Sequence, residues 1–127
     1  MVTALEMKPE AWRKFNPSKN LQAQRDRKKY LKELREKALR VAEEAANLLR
    51  KKYGAQKIVL FGSLTNEDAF SVWSDIDLAA WGITPGKFYS AVADITGLSP
   101  LFEIDLVEPD NCRAPIKEVI YREGVEI

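Results

Sequence analysis

The sequence predicts a small α/β (α+β) domain, a mixed sheet with helices packed on one face, entered through a long N-terminal helix. Three observations carry this. From Ser18 to Tyr53 no glycine or proline interrupts the chain, and apolar residues recur at helical spacing. Three short apolar runs follow, KIVLF, DIDLAAW and LFEIDLV, of the length expected for strands. The segments after the second and third runs open on proline and close on glycine, as helices do.

Taken in order, PEAWRKF predicts a short helix with Pro9 in its first turn, ended before Pro17. Ser18 is a candidate N-cap for the long helix. Leu31, Leu34, Ala38, Val41, Ala45 and Leu48 recur at spacings of three and four, a narrow apolar seam. Arg50, Lys51 and Lys52 suit the helix C-terminus, and Gly54 follows as the stop. About 35 residues of helix would span roughly 50 Å. That exceeds a small domain, so the basic stretch from Arg25 to Lys32 is expected to project or bend. Strands are then expected from Lys57 to Phe61, from Asp75 into the AAW run, and across Phe102 to Val107. LTNEDAF between the first two reads as a polar loop or a short helix. Thr84-Pro85-Gly86 opens a helix through about Gly97, with Phe88, Tyr89, Val92, Ala93 and Ile95 as its apolar set. A last helix starts near Pro115 and ends at Gly124. The chain divides into a basic extension, residues 1–30, and a folded domain, residues 31–127.

The 127 residues, 46% hydrophobic and 31% charged, have an ordinary globular composition. There is no histidine, which excludes a Ser-His-Asp triad, a Cys-His dyad and His-ligated zinc. The lone Cys112 excludes an internal disulfide and fits a reducing cytoplasm. No apolar run reaches the ~20 residues of a membrane helix, and the N-terminus has no signal-peptide core. The net charge of +1 hides a split. Residues 1–53 hold 15 Lys and Arg against 7 Asp and Glu, a net of +8; residues 54–127 hold 5 against 12, a net of −7. The split is read either as a solvated basic helix beside an acidic domain, or as a partner surface beside a metal site.

The acids carry the chemistry. Alternation puts Asp75 and Asp77 on one face of the second strand, side chains about 7 Å apart, with Ile76 and Leu78 on the other. Asp105 sits similarly between Ile104 and Leu106. A single Asp in a strand reads as an edge position, but D-x-D inside an apolar run reads as a metal pair. If the second and third strands pair, Asp105 joins it, and three carboxylates on one face call for a cation. Mg2+, or Mn2+, takes oxygen ligands, and two such ions are the usual apparatus of nucleotidyl transfer. Gly62-Ser63 reads as a simple turn or as an anion cradle, since glycine permits close backbone approach. It is not a Walker loop.

Together these features resemble the polymerase-beta-like nucleotidyltransferase superfamily: an apolar run ending in Phe61-Gly62-Ser63, Ser74-Asp75-Ile76-Asp77-Leu78 with Ser74 eleven positions after Ser63, and a later single Asp in a strand. At this size the chain is similar to the minimal nucleotidyltransferases, the MNT-domain proteins. The resemblance covers roughly residues 38–127, including the ending IKEVIYREGVEI, and leaves out residues 1–30. It implies the minimal nucleotidyltransferase fold. It implies that Asp75 and Asp77 hold the catalytic metals and the triphosphate, that Asp105 completes the site and helps activate the attacking hydroxyl, and that Gly62 and Ser63 hold the β- and γ-phosphates. The implied reaction moves a nucleoside monophosphate, AMP from ATP, onto an acceptor with release of pyrophosphate. It further implies a partner, a HEPN-domain ribonuclease toxin that the MNT protein neutralises as antitoxin, in some pairs by adenylylating a tyrosine. Many relatives carry an Arg shortly after Gly-Ser. Here LTNEDAF has Glu67 and Asp68 and no base, so a positive partner has to come from Lys87 or the first helix.

Two other functions fit the same residues. One is an antitoxin that masks a ribonuclease by binding alone, through the basic helix. The other is a small-molecule nucleotidyltransferase, for which 127 residues leave little room to hold an acceptor. No aromatic platform accompanies the basic helix, so a protein partner is preferred to nucleic acid.

Overall fold

The computed structural model describes residues 21–127. The short helix expected after Pro9, the Ser18 cap and most of the basic extension lie outside these residues. Helix α1 runs Leu21–Tyr53, followed by β1 (Lys57–Phe61), a 3-10 turn (Ser63–Thr65), β2 (Ile76–Trp81), α2 (Pro85–Thr96), β3 (Ile104–Val107), α3 (Ala114–Glu123) and β4 (Val125–Glu126). The sheet order is β3-β2-β1-β4. β1 is antiparallel to β2 and β4, and β2 is parallel to β3. The α+β class with a long leading helix is thus present. The polar segment after β1 forms one 3-10 turn and then hydrogen-bonded turns rather than a longer helix.

The core explains the assignment. Ile58, Leu60, Ile76, Leu78, Ile104 and Leu106 alternate onto one sheet face and meet α1 and α2. In α1 the buried residues are Leu34, Ala38, Ala42, Ala45, Ala46 and Leu49. The seam is therefore rotated from the expected one: Val41 and Leu48 are half-buried and small alanines take the contact, which lets the helix approach the sheet closely. No residue of α1 before Leu34 is fully buried, but Tyr30 and Leu31 pack half-buried against the core, so the basic first third lies along the domain with its charged side chains exposed rather than projecting free of it.

Two expectations are corrected. Helices were expected on one face, yet α3 covers the other, where Ile120 packs with Val59, Phe61 and Ala79. The physical reason is that β1 and the AAW run of β2 are apolar on both faces, and the second face also has to leave water. In α2 only Ala91 and Ile95 are buried, whereas Tyr89 is 84% exposed. The chain end also adds a strand, β4, where Ile127 N–H donates to the Ile58 carbonyl.

Candidate active site

The site is built at the end of β1. Register sets Phe61 beside Asp77, and Asp77 beside Asp105, so one row crosses three strands. Ile76 and Leu78 point into the core at 0% exposure, which forces Asp77 onto the opposite face. Asp75 lies one residue before β2, half-buried. Asp105 is exposed on β3.

Asp77 is the electrostatic centre. Burial, then the charge of Asp105, then that of Asp75, push its carboxyl up to about 6, and a hydrogen bond with Asp105 adds to the shift. A carboxyl so placed holds its proton more tightly until a cation offsets the neighbouring charges. Asp77 and Asp105 both line a cavity of about 660 Å³ that also touches Thr96 and Ile116.

Gly62 closes the site from β1. Its backbone sits at φ 82, a conformation side chains rarely adopt, and a Cβ there would lie 2.3 Å from Asp77 Oδ2. Only glycine lets the chain turn this close to the carboxylate. The turn that follows is tied from several sides. Thr65 Oγ1 donates to the Gly62 carbonyl at 2.8 Å. Ser63 Oγ donates to Ser74 Oγ at 2.9 Å, and Ser74 Oγ also accepts from Ser71 N–H at 2.9 Å. Ser74 thereby pins the start and end of the loop together, and the D-x-D segment follows directly.

A base of α1 reaches the turn after β1. Arg35 of α1 donates from Nε and from a terminal nitrogen to the Leu64 carbonyl, at 3.1 and 2.9 Å. A guanidinium thus sits one residue from Ser63. Lys28, Lys29 and Lys32 line a groove of about 560 Å³ shared with Glu67 and Asp68, so the helix faces the acidic loop with positive charge. Sequence reasoning pointed to the helix without naming Arg35. A separation of 29 residues leaves no local signal for it.

The donor set is oxygen only, the chemistry a hard divalent cation takes. Asp77 and Asp105 are in contact, but among the described residues no three carboxylate or thiol side chains converge as a formed cage. The fit to a metal therefore rests on the Asp77–Asp105 pair, with Asp75 within electrostatic reach. No helix among the described residues is long and apolar enough to cross a membrane. A scan against protein-family models finds no match, and a search of characterised proteins finds no relative of the chain.

Proposed function

We propose that the chain is a Mg2+-dependent nucleotidyltransferase that moves AMP from ATP onto a partner protein, and that it works as the antitoxin of a HEPN-type ribonuclease toxin in the cytoplasm. The observation that carries the reading is the row Phe61–Asp77–Asp105, closed by a glycine backbone lying against the Asp77 carboxylate. Asp77 and Asp105 would hold the metal, with Asp75 as a further ligand. A divalent ion bound there supplies charge neutralisation to the triphosphate. Gly62 and Ser63 would receive the phosphates, and Arg35 adds positive charge behind that turn. Asp105, the more exposed of the pair, takes the proton from the acceptor hydroxyl. The hydroxyl oxygen then bonds to the α-phosphorus as the bond to the pyrophosphate oxygen breaks.

The test is transfer of label from α-labelled ATP, in Mg2+, to the co-expressed HEPN-type partner. Transfer is expected from the native chain and is lost in Asp77→Ala. Persistent labelling by an Asp75→Ala, Asp77→Ala double variant would sink the assignment.

A second reading, masking of the toxin without catalysis, draws support from the unburied basic third of α1. It expects Asp77→Ala to neutralise the toxin still, and charge reversal across Arg25–Lys29 to fail.

A further inference from the structure

Strand β3 lies at an edge of the sheet. Its inner side faces β2, and the Glu103 carbonyl accepts from Ile76 N–H at 2.9 Å. Alternation along the ladder then turns the N–H and C=O of Ile104 and Leu106 outward. Among the described residues no strand pairs with that side. As whole residues Ile104 and Leu106 are only 3% and 8% exposed, and the cavity beside Asp77 and Asp105 is what reaches them. The cavity beside Asp77 and Asp105 runs along β3 between Val92 of α2 and Ile116 of α3. A second cavity of about 540 Å³ shares Val107 and Ile116 with it and ends at Phe88 and Tyr89. A row of backbone donors and acceptors with no strand partner, reached through these cavities, is a setting for strand addition.

Charge selects the occupant. Glu103 stands before β3 and Glu108 just after it, with Asp105 between them and Arg113 as the one base lining the two cavities. A second copy of the chain paired edge to edge would set these acids against their own kind, which is destabilising. A segment with basic residues at both ends is complementary.

We infer that the outer edge of β3 docks an extended segment of a partner protein, basic at both ends, as a fifth strand of the sheet. The consequence for catalysis rests on the proposed transfer reaction. A residue of that strand opposite Asp105 has its side chain on the same face, with Cβ atoms roughly 5 Å apart. A hydroxyl there meets the Asp77–Asp105 pair, gives its proton to Asp105, bonds to the α-phosphorus and releases pyrophosphate.

The probe is the acetylated, amidated hexapeptide Lys-Val-Ser-Val-Thr-Lys, without nucleotide, at low salt. Binding is expected to slow hydrogen exchange of the Ile104 and Leu106 amides at least fivefold. The same peptide N-methylated at alternate residues is expected to bind at least tenfold more weakly. A version ending in Glu is expected to bind several-fold more weakly to the native chain and better to Glu103→Lys. Equal binding of the N-methylated peptide would overturn the inference. So would protection mapping to the groove of Lys28, Lys29 and Lys32 on α1, or a free chain that already dimerises with Ile104 and Leu106 protected. Peptide binding needs no ATP. Intact binding without any label transfer would therefore refute the transfer reading alone, and transfer without edge protection would refute only this inference.

Discussion

Replacing Asp77 with Asn is expected to stabilise the protein while removing the carboxylate on which the proposed chemistry depends. In the folded chain burial and the charges of Asp105 and Asp75 raise the Asp77 carboxyl to about 6, so the folded state holds the proton more tightly than the unfolded chain. The penalty from ionising it is absent below about pH 4, grows between about pH 4 and 6, and is constant above. Fully transmitted, that difference corresponds to roughly 3 kcal/mol. The side chain still sees water, which screens the repulsion, so about 1–2 kcal/mol is the expected gain at pH 8. An amide keeps the hydrogen bond to Asp105 and carries no charge. At this chain length 1–2 kcal/mol is worth roughly 3–8 °C in Tm. The assay is urea unfolding of both proteins at pH 8 and at pH 4. The variant should have the higher midpoint at pH 8, and the two midpoints should converge at pH 4. Equal midpoints at pH 8, or a gap that persists unchanged at pH 4, would refute the electrostatic reasoning.

Millimolar Mg2+ at pH 8 should raise the Tm of the native chain and leave Asp77→Asn unmoved; at a hundred times Kd the gain is about 2.7 kcal/mol, readable by calorimetry. Gly62→Ala should destabilise by about 1–3 kcal/mol, because φ 82 and a Cβ placed 2.3 Å from Asp77 Oδ2 both oppose it; unchanged thermal unfolding would refute that. Arg35→Ala removes two donors from the Leu64 carbonyl and should lower stability by about 2 kcal/mol in urea titrations, with Arg35→Lys recovering part of it. Gly124→Ala would set a Cβ 2.3 Å from the Ile120 carbonyl oxygen and 2.4 Å from Val59 Cγ1, so about 1–3 kcal/mol should be lost and the β4 amides should exchange faster.

Much was legible in local pattern. Periodicity marked α1 through Tyr53 and the three main strands, because side-chain alternation and helical spacing are properties of neighbouring residues. The same alternation put Asp77 opposite Ile76 and Leu78 without any knowledge of the sheet. The D-x-D pair and Gly62-Ser63 could therefore be singled out directly.

What the sequence by itself determined is the side-chain alternation of the three main strands and the existence of α1, α2 and α3, since these follow from backbone geometry over a few residues, whereas β4 and the buried faces of α1 and α2 did not. Only the tertiary structure decided the rest. That Asp105 stands beside Asp77 is a register between strands separated by a helix. That α3 lies on the second face follows from apolar surface which two helices on the first face leave uncovered. That Tyr89 is open to water while Ala91 is buried depends on where α2 meets the sheet, not on its own pattern. The positive charge behind the turn comes from Arg35, brought there by the packing of a helix that precedes the whole sheet. These are long-range contacts. Packing and charge settle them once the chain is compact, and no window of neighbouring residues contains them.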